Sequence, residues 1–360
     1  MYAALIVFAS LFPFDGWRVQ GVSAWVFLTA QVPPPYWTWF DVQINLAGYA
    51  PLGFLLALAW LRSGWPRAAV GLAVLAGAGL SLGMEFLQIY LPRRVPSNMD
   101  WLLNSAGTLL GALSAALLER LGWIDHWSRF RARWFVPQAR GALVLLALWP
   151  WALLFPLAQP FGLGQVLRRL EQALAQLLQD TPFIDWLAQV GAPQRLLSPL
   201  GEVWVVALGA LLPCLLGYSV MRHVGRRLVF ALLALAVGVA VTALSALLSY
   251  GPAHAWEWLT PAARVGLALA LVLAVLLLGL RRRLVTALLL LALAVQLDLL
   301  NATSTTPYFA QTLQAWEQGR FSRFYGLGQW LGWLWPYALL VYALWRLSQR
   351  PGVPKIAPHE

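Results

Sequence analysis

Three acid–amide pairs stand in the first third of the chain. Asp41 and Asn45 are four residues apart, Glu85 and Gln88 three, and Asp100 and Asn104 four, spacings that put each pair on one face of a helix. A carboxylate beside an amide presents acceptors and donors to hydroxyl or amide groups of a ligand. A carboxylate in a site of low dielectric also suits general-base work, for which Glu85 and Asp100 are the candidates. Arg93 and Arg94, between the second and third pairs, carry guanidinium forks that match phosphate. Ser97 and Asn98, just ahead of Asp100, have the composition of a helix N-terminal cap. No nucleophile–His–Asp arrangement, metal-ligand spacing or phosphate-cradling glycine loop accompanies these residues, so the catalytic residues stay unassigned and neither a metal nor a cofactor is expected. His254 and Glu257, three apart beside Trp256 and Trp258, read as interfacial residues rather than metal ligands.

The elements that must position the pairs are membrane helices. Sixty per cent of the 360 residues are apolar and 11% are charged, against roughly 25% charged in an ordinary soluble domain. Mean hydropathy is +0.68. A soluble enzyme is excluded. The net charge of +11 resides almost wholly in arginine, with Lys355 the sole lysine. These arginines punctuate apolar runs instead of forming a stripe that could track phosphates, so nucleic acid is not an expected partner. The single cysteine, Cys214, excludes an intramolecular disulfide and a cysteine-ligated zinc.

The expected fold is all-α, a polytopic integral membrane bundle of about ten transmembrane helices. Candidate spans are 1–12, 42–61, 68–91, 101–118, 141–158, 202–221, 228–249, 263–280, 284–300 and 330–346. Spanning ~30 Å of hydrocarbon takes about 20 helical residues, so the first is short, which suggests either a re-entrant segment or a start inside the true first helix. With ten crossings and Met1 in the cytoplasm, sixteen of the 25 basic residues fall in inner joints and nine outside. The positive-inside rule then places both termini in the cytoplasm. The chain divides into a membrane domain at 1–120, a basic joint at 121–140, a second helical region at 141–346 and a tail at 347–360. An amphipathic segment at 164–179 shows Val166, Leu170, Leu174 and Leu177 on one face, with Arg168, Arg169, Gln172, Gln176 and Gln179 mostly on the other. It lies either on the outer membrane surface or across the mouth of the bundle. Tryptophans such as Trp149, Trp151, Trp256, Trp258, Trp333 and Trp335 read as interfacial anchors.

In this topology all three pairs face the outer leaflet. Glu85, seven residues before Pro92, lies ~10 Å along the helix axis from the surface, and Asn45 and Asn104 lie ~6 Å down. Carboxylates at such depth cost ~2.5–3.5 kcal/mol on insertion scales and must face the bundle or a wet cavity. Ser81 lies one turn below Glu85 on the same face. Gly79 and Gly83, and Gly107 and Gly111, have the G-x-x-x-G spacing of close helix contacts, and the second pair continues the Asp100–Asn104 stripe.

The arrangement Asp41-x-x-x-Asn45-x-x-x-Tyr49-x-Pro51-Leu52-Gly53-Phe54, then Glu85-x-x-Gln88, then Pro92-Arg93-Arg94-x-x-Ser97-x-x-Asp100-x-x-x-Asn104-x-x-Gly107-x-x-x-Gly111, resembles the VanZ family over roughly residues 10–118. The resemblance implies a bacterial cytoplasmic-membrane protein, in a family whose founding member confers low-level teicoplanin resistance. The usual domain is a bundle of four or five helices, so the remaining 200 or so residues would be an extension. Three functions stay open. The polar cluster binds membrane lipids or a lipid-linked envelope precursor, with Arg93 and Arg94 on phosphate. It serves proton-coupled transport together with Asp298. Or it is a network that staples helices.

Overall fold

The computed structural model describes residues 2–12, 14–21, 23, 26–35, 37–155, 157–183, 197–302 and 322–349. Twelve α-helices occur among them: α1 Tyr2–Leu11, α2 Trp39–Arg62, α3 Ala69–Gln88, α4 Asn98–Arg120, α5 Trp123–Trp134, α6 Arg140–Leu153, α7 Leu167–Leu178, α8 Pro199–Val220, α9 Val224–Tyr250, α10 Pro261–Leu276, α11 Arg282–Asn301 and α12 Ser322–Ser348. No strand occurs among the described residues. Each of the ten expected spans falls on a helix. Six of them, α2, α3, α4, α8, α9 and α11, are long and apolar enough to cross a membrane, whereas α1, α6 and α10 are shorter apolar helices. The expectation of a span over 141–158 is corrected: α6 ends at Leu153, and its 14 residues reach only ~21 Å. The protein is a polytopic helical membrane protein.

The chain forms two compact units, Met1–Arg131 and Ala132–Glu360. In the first, α2 and α4 share the most extensive interface and α3 packs on both. The reason is side-chain size. A Cβ on Gly53 would sit 1.9 Å from the Thr108 carbonyl oxygen, and one on Gly111 1.8 Å from that of Ala50. Gly107 meets the Leu46 carbonyl in the same way, at 2.4 Å. Lipid tails are as apolar as leucine, so helices in a bilayer associate by close packing rather than by escape from water, and glycine allows the closest approach. Ala57, Ala73, Ala112 and Ala115 extend this seam as a cluster with no exposed surface. For α3 the glycine expectation is corrected. Gly79 and Gly83 have nothing within 4 Å of an added Cβ, and the packed residue is Gly77, against the Thr108 side chain at 2.5 Å.

In the second unit α8 is central, with its residues 205–220 all buried; it packs against α10, α11, α9 and α6. A helix apolar all round needs neighbours on every side. Arg227, buried near the start of α9, donates to the carbonyls of Leu278 (2.7 Å) and Leu280 (2.8 Å), just beyond the end of α10. It thus serves carbonyls that a helix terminus leaves without partners. Trp335 donates from its indole to the Leu145 carbonyl at 2.7 Å, fastening α12 to α6. Trp149 and Trp335 are each only 2% exposed, so the interfacial reading of these two is corrected to core packing, while Trp151 and Trp256 are exposed as expected. Of the expected apolar stripe, Leu170, Leu174 and Leu177 on α7 are exposed, whereas Val166, just before the helix, is buried. The side chains of Arg168, Arg169 and Gln172, part of its expected polar face, lie outside the described residues.

Candidate functional site

Local capping fixes how α2 and α4 begin. Thr38 caps α2: its hydroxyl accepts the Asp41 N–H, while its own N–H and hydroxyl donate to the Asp41 carboxylate at 3.0 and 2.7 Å. Both partners of this capping box satisfy each other. Asp41 is therefore a capping residue at the start of α2. Ser97 caps α4 by accepting from the Asp100 N–H. Its own N–H donates to the Glu85 carboxylate at 2.8 Å, so the last turn of α3 is bonded to the start of α4.

Glu85 is 3% exposed, and among the described residues it has no ion pair. What faces it is the N-terminal end of α4, where free N–H groups and the helix dipole favour negative charge. Its second oxygen takes no hydrogen bond among the described residues. Asp100 lies close enough to interact with it electrostatically and is itself partnered. One turn below, Ser81 is fully buried and accepts from the Asn104 side-chain amide at 2.9 Å. The Asn104 backbone carbonyl accepts from Thr108 at 2.8 Å. Tyr49 of α2 completes the group: its hydroxyl lies beside Ser81 and within the field of Glu85 but completes a hydrogen bond with neither.

Two polar atoms in this cluster are thus buried without a hydrogen-bond partner among the described residues, the Tyr49 hydroxyl and Asn104 Oδ1. Leaving such a group unpaired costs roughly 1–3 kcal/mol. Counted along the helices, the cluster runs from Glu85, one turn inside the end of α3, to Tyr49, ~15 Å into α2. It is a polar column in the helix seam, deeper than the matched outer mouth expected from spacing.

The remaining candidates do not join it. The Gln88 side chain donates to the Ser10 carbonyl at 3.0 Å. Arg94 donates to the carbonyls of Ala9 (3.1 Å) and Phe12, a cation at the C-terminal end of α1 where the dipole favours one. Both residues fasten α1. Arg93 points to the surface, 3.6 Å from Asp15 with 74% of its side chain exposed. With Asp15, Trp17, Arg18 and Pro92 it lines a shallow cavity of about 370 Å³. Asn45 is half-buried and makes no side-chain hydrogen bond among the described residues. The member that pair-counting missed is Tyr49, eight residues after Asp41 and four after Asn45, on the same face of α2. Asp298 stands exposed on α11, three residues before its end. No group of three or more His, Cys, Asp or Glu able to hold a metal occurs among the described residues.

Comparison with protein families matches residues 1–119 to VanZ/LLP1. No curated protein matches the chain, and no solved structure does. The first 119 residues thus resemble a VanZ-like domain, and a further 241 residues follow them in the sequence.

Proposed function

We propose that the VanZ-like unit binds the head group of an envelope lipid, or of a lipid-linked cell-wall precursor, in the polar column between α2, α3 and α4, entered from the outer leaflet. The observation that carries this reading is the pair of partnerless buried atoms, the Tyr49 hydroxyl and Asn104 Oδ1, beside the buried Glu85 carboxylate. A hydroxyl or amide of a sugar or peptide head group would give a donor to Asn104 Oδ1, a partner to Tyr49 and a second donor to Glu85. A phosphate would sit at Arg18 and Arg93, which share the rim cavity near the end of α3; Arg94, committed to α1, is not assigned to it. The family adds teicoplanin tolerance as the phenotype to test. No bond-making step is assigned to these residues.

The stapling alternative draws on the Ser97–Glu85 hydrogen bond, which would close the α3–α4 loop with no ligand at all. Tyr49→Phe separates the two readings, because the hydroxyl it removes, beside Ser81, completes no hydrogen bond among the described residues. Native mass spectrometry of co-purified lipids would be run on wild type, Tyr49→Phe and Arg93→Ala, with unfolding followed in parallel. Loss of one specific lipid from folded Tyr49→Phe protein supports the site. An unchanged lipid profile together with unchanged or raised stability removes it.

A further inference from the structure

The second unit holds a cavity of about 360 Å³ at the end of the bundle where α8 begins and α9 ends. Both helices are long enough to cross a membrane, so this end lies where head groups lie. Its polar wall is acidic. Glu202, in the first turn of α8, is half-buried, and among the described residues it makes neither an ion pair nor a side-chain hydrogen bond. Glu257 lies 2.7 Å from His254 Nδ1. Among the described residues no lysine or arginine lines the cavity, whose one basic group is His254, although the whole chain carries a net charge of +11. Two more lining residues hold buried polar atoms that have no partner among the described residues, the Thr242 hydroxyl and the Trp258 indole N–H.

These features define the ligand chemically. His254 already partners Glu257, so Glu202 is the carboxylate that, among the described residues, has no basic partner and calls for a cation. Because carboxylates accept N–H bonds, Glu202 and Glu257 favour a primary ammonium over a quaternary one. The indole N–H can only donate, so the ligand must also bring an acceptor oxygen close to that ammonium. Leu153, Leu157 and Ala246 give the wall an apolar part that suits a hydrocarbon chain, beside the polar Gln159, Ser245 and Thr260. We infer that the cavity in the second unit binds an amphiphile whose head joins a primary ammonium to a phosphate or ester oxygen, as in an aminoethyl phosphate lipid. The site is independent of the column in the VanZ-like unit.

The test uses the full chain in a neutral detergent, with lysophosphatidylethanolamine, lysophosphatidylcholine and lysophosphatidylglycerol as probes and native mass spectrometry as the readout. The ethanolamine lipid should bind with a preference of about tenfold over the other two, the scale of one charge-assisted hydrogen bond. Glu202→Gln and Glu257→Gln should each remove most of that preference. Because Glu257 is exposed, its substitution leaves folding intact and keeps the test valid even if Glu202→Gln does not fold. Equal binding of the three lipids, or an unchanged preference in folded Glu257→Gln protein, overturns the site. Displacement by free phosphoethanolamine at equal concentration overturns the assignment to a lipid and leaves a soluble amine as the ligand. Tyr49→Phe should not alter this preference, so failure here and failure of the first unit's site are distinguishable.

Discussion

The same G-x-x-x-G spacing occurs in α3 and α4, and the structure assigns the two pairs opposite consequences for alanine. An added Cβ at Gly111 would lie 1.8 Å from the Ala50 carbonyl oxygen and 2.9 Å from the Phe54 nitrogen, both backbone atoms of α2. Ordinary contact begins near 3.4 Å, so α2 and α4 would have to separate by on the order of 1.5 Å, because no rotamer change can move a carbonyl. Overpacking of this kind costs about 1–3 kcal/mol and sometimes more, and Gly111→Ala belongs at the top of that range. The separation would also open the alanine cluster of the seam. At Gly79 a Cβ meets nothing within 4 Å, so Gly79→Ala should be neutral or gain up to ~1 kcal/mol from helix propensity. The assay is reversible unfolding of the purified protein in mixed micelles, followed by tryptophan fluorescence, with Gly83→Ala as a second open-position control. Equal destabilisation by Gly111→Ala and Gly79→Ala would refute this packing and move the α3 glycines back into the seam.

Three further outcomes follow from the same geometry. Arg227→Met keeps an apolar stem but strips the Leu278 and Leu280 carbonyls of their donor; each orphaned group costs roughly 1–3 kcal/mol, and unfolding of the second unit should shift accordingly. Arg94→Gln should release the end of α1, seen as faster amide exchange over residues 2–12, with α2–α4 protection unchanged. Asp41→Ala should cost about 1 kcal/mol, the ordinary value of an N-terminal cap, without changing the co-purified lipids; loss of a specific lipid in a folded Asp41→Ala protein would restore Asp41 to the site.

Much of this protein is legible along the chain. Hydropathy alone locates the ten helices of the expected spans, because burial in a bilayer imposes the same local demand on every spanning segment. The Ser97 cap is equally local, since it joins residues within one turn. The Glu85 side of the site was also readable: a lone acid in an apolar run must turn inward. What the sequence could not decide is which faces meet. Gly79 and Gly107 sit in identical patterns, yet only Gly107 approaches another helix. Arg93 and Arg94 are adjacent, but one reaches the surface and the other the end of α1. Trp149 and Trp151 differ by two positions and lie on opposite sides of α6, one in the core and one exposed. Periodicity assigns a residue to a face of its own helix. The neighbour that covers the face comes from packing between segments distant in sequence, and only the tertiary structure supplies it.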